Sequence, residues 1–336
     1  MSKKIVLGMS GGVDSTVSAR LLQNAGYEVY GLFMDIGTPN GAGDARTAAE
    51  EVGVPLKVLD ISSELEQKVC TPFVQAYLRG ETPNPCIMCN PLVKFKSLLE
   101  YAREIGAEHV ATGHYARVRD GRLYKGTPKN DQSYMLCRVT REQLRHLVLP
   151  LGDFEKTQTR ALAAEMGLKV AAKPDSMEIC FIQDGDYAAF IESRGQAPGP
   201  GNFVDEEGNV LGRHRGIHRY TIGQRRGLGI SLGQRVFVSA IRPETNEVVI
   251  SDGDGLYAME IRAVDMNWQV PEIPAAPFRA GVRVRHSRFE TPAVVTPEEG
   301  GCSVKIVFEK PVRAPTPGQS AVLYDGDMVM GGGYIV

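Results

Sequence analysis

The segment "GMSGGVDS", Gly8–Ser15, constrains this chain more than any other. It follows the apolar run "KIVLG" and leads into Ser15–Asn24, which has helical spacing and stops at Gly26. A strand that turns through adjacent glycines into a helix makes an anion site. The glycines let the backbone approach closely, and the helix start directs N–H groups and its positive dipole end at the anion. Ser10 and Ser15 add hydroxyl donors, while Asp14 would repel a bare phosphate and is best read as holding a Mg2+ that bridges phosphates. No lysine follows the glycines as in a Walker loop, and the spacing is not that of a G-x-G-x-x-G dinucleotide loop. An ordinary tight strand–helix turn is the alternative.

The same alternation continues. "EVYGLFM", "LKVLDI" and "HVATGH" read as strands, and Val93–Ile105, Thr157–Met166 and the short Asp186–Ser193 as helices. "ARVRDGRLYKG" reads as a hairpin turned at Asp120-Gly121. Strand–helix alternation predicts an α/β domain with a doubly wound parallel sheet. The pattern changes after the Pro/Gly-rich "RGQAPGPGNF". Beyond it, short β-like runs such as "QRVFVSAI", "EVVISDG", "FRAGVRVRH", "CSVKIVF" and "MVMGGGYIV" predict β-rich central and C-terminal domains, the latter a barrel. A modest break near Asp252–Leu256 separates the two, which gives three domains: 1–196, 197–255 and 256–336.

No stretch approaches the roughly 18–20 apolar residues of a membrane helix, and no leader is evident, so a cytoplasmic protein without a membrane partner is expected. The net charge of −2 suggests no nucleic-acid binding by itself, yet its distribution does. Val210–Arg242 holds seven arginines and no Asp or Glu, with His214 and His218 interleaved, and Arg279, Arg283, Arg285 and Arg288 form a second cluster. Such patches suit a phosphate backbone, unless they are merely solvated basic faces. Six cysteines in a chain of 336 residues do not make a secreted disulfide framework. Two of them form Cys86-x-x-Cys89 in "TPNPCIMCN", a metal clip, a redox pair, a disulfide or two thiols with separate tasks.

SGGVDS matches the pyrophosphate loop of the ATP-pyrophosphatase superfamily, whose members split ATP into AMP and pyrophosphate while adenylating a carbonyl oxygen. In order along the chain, "GGVDSTVSARLL", "GLFM", "TPNPCIMCN…KFKSLLE", "ATGHYARV", "NDQSYMLC", "DSMEICFI", "YTIGQRRGLGI" and "TPGQSAVLY" resemble the bacterial tRNA-specific 2-thiouridylase family, from Gly8 to the C-terminus. The resemblance implies ATP-dependent replacement of the 2-carbonyl oxygen of the wobble uridine by sulfur. It implies that Gly8, Met9, Ser10, Gly11, Gly12, Val13, Asp14 and Ser15, with Met34 and Gly113, bind ATP and its Mg2+. Cys89 is then the nucleophile and Cys180 the persulfide carrier, with a Cys89–Cys180 disulfide left for a reductant to reopen. Both need thiolate character. Asn84, Pro85 and Cys86 would border the target base, which must leave its stack. His114, Asn130, Asp131, Gln132, Ser287, Arg288 and Gln319 would touch tRNA. A sulfur-donor protein or sulfide source is a further implied partner; DNA is not.

Three departures from the family pattern stand out. Cys86 occupies a place where an Asp is usual, "RHSRFET" replaces the usual Arg-Tyr-Arg pattern, and the chain is short between Met34 and the next helix. Related tRNA thiolases hold a 4Fe–4S cluster on three cysteines, which makes Cys86, Cys89 and Cys180 candidate cluster ligands beside a cluster-free persulfide relay. Cys70, Cys137 and Cys302 read as spectators. A different pyrophosphate-loop thiolase or ligase, or a non-catalytic RNA-binding Fe–S protein, are the competing readings.

Overall fold

The computed structural model describes residues 3–37, 41–174, 179–182, 185–195, 197–230, 233–287 and 289–336. The N-terminal half is built on a five-stranded parallel sheet. Its order is Leu56–Asp60, Tyr27–Asp35, Lys3–Gly8, His109–Ala111 and Leu147–Val148. Lys3–Gly8 is central. Its Ile5 and Leu7 pack on one face and Val6 on the other, all fully buried. Burial on both faces explains why this strand reads as a continuous apolar run. One face is covered by the helices Val13–Asn24, Gly41–Val52 and Lys156–Glu165. The other is covered by Phe95–Ile105, which ends on Gly106 in the left-handed conformation (φ 68°).

Chain order and sheet order part company at Lys3–Gly8. The next two strands lie to one side of it and the later two to the other. A crevice forms at the C-terminal ends of strands at such a switch point, and ligands bind there. The glycine loop leaves Lys3–Gly8 at this place, and Thr112, Gly113 and His114 follow the neighbouring strand.

The second half is all β apart from short 3-10 turns. Four strands, Gly201–Val204, Val210–His214, Phe237–Arg242 and Glu247–Ser251, form a small sheet around Phe203, Ile217, Tyr220 and Val248. Six more form a closed barrel. Tyr257–Trp268 pairs with Ser303–Arg313 on one side and with the last strand, Met328–Ile335, on the other. The expected hairpin exists, as Ala116–Arg119 paired with Arg122–Lys125 through Asp120 (φ 51°) and Gly121 (φ 66°). It belongs to the N-terminal half yet joins the barrel sheet by pairing Tyr124 with Met328. Barrel residues Val322, Tyr324 and Val329 share a core cluster with Val6, Leu98 and Tyr134, so barrel and α/β domain have one continuous core.

"TPNPCIMCN" is the start of a helix. Asn84 caps it, its Oδ1 accepting the Cys86 N–H at 3.2 Å, and Pro85 takes the first turn of Pro85–Cys89. A π-helical turn, Asn90–Lys94, follows at once, and a second one, Glu66–Cys70, packs against the same helix. Single π turns inside helices recur at functional sites because they reorient side chains.

Candidate active site

A cleft of about 540 Å³ opens at the switch point. Its lining includes Gly8, Met9, Ser10, Asp14 and Ser15 of the glycine loop, Met34 at the end of the second strand, Gly113, His114, and both Cys89 and Cys180. The loop is preorganised. Ser15 Oγ donates to the Gly12 carbonyl at 3.1 Å and accepts from the Ser10 N–H at 3.3 Å. Gly11 holds φ at +73° and sits against the Asp44 backbone, where a Cβ would come within 2.5 Å of it. A Cβ on Gly113 would meet Asp14 Cβ at 2.9 Å, so a glycine is needed for the adjacent strand end to touch the helix start. Asp14 accepts from Tyr115 OH at 2.6 Å and from Lys156 Nζ at 2.7 Å.

Cys89 and Cys180 face the same cleft from different parts of the chain. Burial pushes the Cys89 thiol up to about 11, with the Lys94 ammonium and the Lys94 N–H pulling the other way. Desolvation also raises Cys180, again opposed by Lys94. Burial thus works against the thiolate at both positions, and the thiolate character that the chemistry needs there has to be gained against it. Lys94 opens the segment "KFKSLLE" that carries part of the family resemblance, yet no role was expected of it. The π turn after Cys89 returns it to the side of that sulfur, and it lines the cleft. Cys70 was expected to be a spectator; it is buried in an apolar cluster against which Cys89 packs, and burial pushes its thiol up to about 12. All six cysteines are free.

The cluster expectation finds no support. Among the described residues no three His, Cys, Asp or Glu side chains converge to hold a metal ion. Cys89 and Cys180 line the cleft, whereas Cys86, exposed as Cys180 is, lies outside its lining. The residues present do not fit a 4Fe–4S cluster on these three sulfurs, and no step is derived through one.

The remaining predicted contacts divide by environment. Gln319 Nε2 donates to the Thr82 carbonyl at 2.6 Å, which seats a barrel loop beside Asn84, buried Pro85 and Cys86. His114 lines the cleft with Nδ1 2.7 Å from Thr112 Oγ1; burial, helped by Lys94, holds it well below the usual imidazole range. Asn130 and Gln132 line a second cavity beside the glycine loop. Asp131 between them is buried and bonded within the protein, to the Gly126 and Ser133 N–H groups and to Arg283. Ser287 lies in the barrel turn beside Phe289, which is 84% exposed. Arg288 lies outside the described residues.

The arginine clusters are less open than their sequence suggests. Arg283 is buried between Asp131 and Glu290, Arg279 pairs with Glu309, and Arg285 donates to the Arg313 carbonyl. In the first cluster His214 and His218 are core residues, and Arg219 and Arg242 pair with Glu192 and Glu247. Arg213, Arg215, Arg225, Arg226 and Arg235 face solvent.

Comparison with known proteins decides the family. Family models described as the tRNA methyl transferase HUP domain, the tRNA methyl transferase PRC-barrel domain and the aminomethyltransferase beta-barrel domain match residues 3–184, 188–252 and 258–335. A tRNA-specific 2-thiouridylase MnmA of Acetivibrio thermocellus is 46% identical, with 99% of each chain covered. The MnmA proteins of Clostridioides difficile and Carboxydothermus hydrogenoformans are 44% and 46% identical, covering 100% and 99% of this chain and 98% and 97% of their own. The chain belongs to the tRNA-specific 2-thiouridylase family. The word methyl transferase survives in two model descriptions, but the full-length relatives are named for thiolation. No helix among the described residues is long and apolar enough to cross a membrane.

Proposed function

We propose that this member of the 2-thiouridylase family converts the wobble uridine of tRNA to 2-thiouridine by adenylation followed by sulfur transfer. One observation carries the reading: the glycine loop, Met34, Gly113, Cys89 and Cys180 line a single cleft. An amide-like carbonyl oxygen is a very poor leaving group. Attack of that oxygen on the α-phosphorus of MgATP forms a P–O bond, breaks the α–β bridge and releases pyrophosphate. The base then carries AMP, a good leaving group. The outer sulfur of a Cys180 persulfide attacks C2 and AMP departs. Cys89 thiolate next attacks the Cys180 sulfur, the S–S bond to the base-bound sulfur breaks, and that sulfur keeps the electron pair as the thiocarbonyl. A Cys89–Cys180 disulfide remains, which two electrons from an external reductant reopen. Alternatively, Cys89 cuts the persulfide first and frees sulfide in the cleft, with the same disulfide as by-product.

The five solvent-facing arginines of Val210–Arg242 supply phosphate contacts, and exposed Phe289 beside Ser287 and Arg288 offers a ring on which an unpaired base can stack. The test is incubation of the purified chain with unmodified tRNA, MgATP, a persulfide donor and a reductant. Nucleoside mass spectrometry should find 2-thiouridine, and nucleotide analysis should find AMP. ADP as the product would exclude the α–β cleavage on which the mechanism depends.

A further inference from the structure

The motif "YTIGQRRGLGI", residues 220–230, lies outside the lining of the cleft. Its Thr221 stands two residues beyond the 3-10 turn Ile217–Arg219 of the central domain. This short stretch reaches both segments that carry a reactive cysteine. We infer that it is a clamp that keeps Cys180 within reach of Cys89, with Arg219 and Thr221 as positioning residues for sulfur transfer. The inference rests on the relay reading of those two cysteines.

One arm of the clamp is on the Cys180 side. Glu192 ends the helix Tyr187–Glu192, which follows Cys180 in the chain. Arg219 Nε donates to Glu192 Oε1 at 2.8 Å, and His218 Nε2 lies 2.9 Å from the same oxygen. Phe190 of that helix packs on Phe181, the neighbour of Cys180, with ring centres 5.2 Å apart. The other arm is on the Cys89 side. Thr82 Oγ1 lies 3.4 Å from Thr221 Oγ1. Two residues earlier, Gly80 sits so close to the central domain that a Cβ would meet Ile241 Cγ2 at 2.9 Å. Two residues later, Asn84 caps the helix that ends at Cys89. The arms converge inside the N-terminal half, where Cys89, Phe181 and Phe190 pack against one apolar cluster around Leu65, Val69 and Val93.

The stretch itself is anchored. Ile217 and Tyr220 are buried in the central-domain core with Phe203 and Val248, and the Thr221 N–H donates to Gln224 Oε1 at 3.0 Å. Glu192 and Thr82 therefore find their partners on one fixed template. Each relay step puts sulfur on sulfur, and the rate of such a step depends on an approach set in advance. Arg219 and Thr221 act on that approach without touching either sulfur.

The experiment oxidises the full chain with diamide, without ATP, tRNA or persulfide. Diamide takes two electrons and two protons from the Cys89 and Cys180 thiols, becomes the hydrazine and leaves the disulfide, which peptide mass spectrometry follows in time. A misplacement of about 1 Å can cost about 100-fold in rate, so Arg219→Met and Thr221→Val should each slow the disulfide at least about fivefold, with Thr221→Ser within about twofold of wild type. In the thiolation assay both variants should lose kcat for 2-thiouridine while KM for tRNA and tRNA-dependent pyrophosphate release are retained, whereas a merely damaged fold would lower all of them. Unchanged or faster disulfide formation in either variant, or no Cys89–Cys180 disulfide in the wild type, would overturn the clamp. So would a loss of pyrophosphate release equal to the loss of thiolation. A chain whose disulfide rate depends on Arg219 and Thr221 but that makes no 2-thiouridine would sink the thiolation reading and leave the clamp. One that thiolates tRNA with a disulfide rate indifferent to both residues would do the reverse.

Discussion

Arg283 and Asp131 form a buried ion pair, NH1 to Oδ2 at 2.6 Å, with side chains only 4% and 6% exposed. It ties the loop beside the nucleotide site to the barrel. Arg283 also donates to Glu290 at 2.9 Å and lies with Cζ 4.6 Å from the centre of the Tyr324 ring. Removing one partner of a buried pair strands the other charge and costs about 3–5 kcal/mol. Arg283→Met should therefore lose stability on that scale in urea unfolding. Adding Asp131→Asn should recover part of the loss. With Asp131→Asn alone as the fourth corner, losses of the two single variants that simply add in the double variant would show that the pair is not coupled.

Cys89 and Cys180 share the cleft, whereas Cys86 is outside its lining and Cys70 is buried behind it. The proposed sulfur-transfer step uses the first two only. Cys89→Ser and Cys180→Ser should each abolish 2-thiouridine formation while tRNA-dependent pyrophosphate release from MgATP, the adenylation step, persists for a turnover. Cys86→Ser and Cys70→Ser should keep activity within a few-fold. Full thiolation by either of the first two variants would end the relay mechanism, and loss in Cys86→Ser would reopen a role for that thiol.

Local signals made the N-terminal half readable. The glycine loop, the helix Phe95–Ile105 with its Gly106 stop, and the Asp120-Gly121 hairpin follow from turn chemistry and periodicity over a few residues. The helix Gly41–Val52 was missed because its buried face is made of small side chains, Ala45, Ala48, Ala49 and Val52, and two glycines sit in its first turn. The barrel strand Tyr257–Trp268 was missed because exposed and half-buried positions interrupt its apolar alternation. At the site, Cys89 and Cys180 were readable only through family motifs, since burial of an isolated Cys is the commoner fate. Lys156 and Lys173 had no local signature, and Lys94, though it opens "KFKSLLE", carried no expected role. They reach the loop and the sulfurs through a π turn and through tertiary packing. Charge counting failed in the opposite sense at Arg283, His214 and His218, which composition assigns to a basic surface and the fold buries.

Lys94 works against the desolvation that holds Cys89 up at about 11 and also raises Cys180. Below that value the thiolate fraction of Cys89 grows about tenfold per pH unit, so single-turnover sulfur transfer should rise from pH 7 towards pH 10 if Cys89 deprotonation limits it. Lys94→Met removes the stabilising cation and moves both thiols further up. An opposite charge at close range is worth about 1–3 pKa units. At pH 8 the thiolate fraction falls in proportion, while nucleophilicity regains part of the loss because reactivity rises with thiol basicity. A drop of about threefold or more in iodoacetamide labelling of Cys89 and Cys180 is expected, with Lys94→Arg close to wild type. Identical labelling across pH in Lys94→Met would show that the ammonium does not act on the sulfurs.

His114 tests the electrostatics of the cleft from another side. Burial is the main cause of its depressed basicity, Lys94 the lesser, and Nδ1 is 2.7 Å from Thr112 Oγ1. A neutral ring is therefore expected in the folded chain at neutral pH. The sign of the linkage follows. Above about pH 6.5, the ordinary histidine value, folded and unfolded states are both neutral at this ring. Below it the unfolded chain takes up a proton that the folded chain refuses, so the contribution to stability falls as pH drops, by at most about 1.4 kcal/mol per unit. Measured by urea unfolding between pH 7 and pH 5, the loss of stability should be smaller in His114→Asn than in the wild type. The His114 ring protons should show no shift over the same range by NMR. A midpoint near 6.5 would mean that water and tRNA reach this ring far more freely than its packing allows.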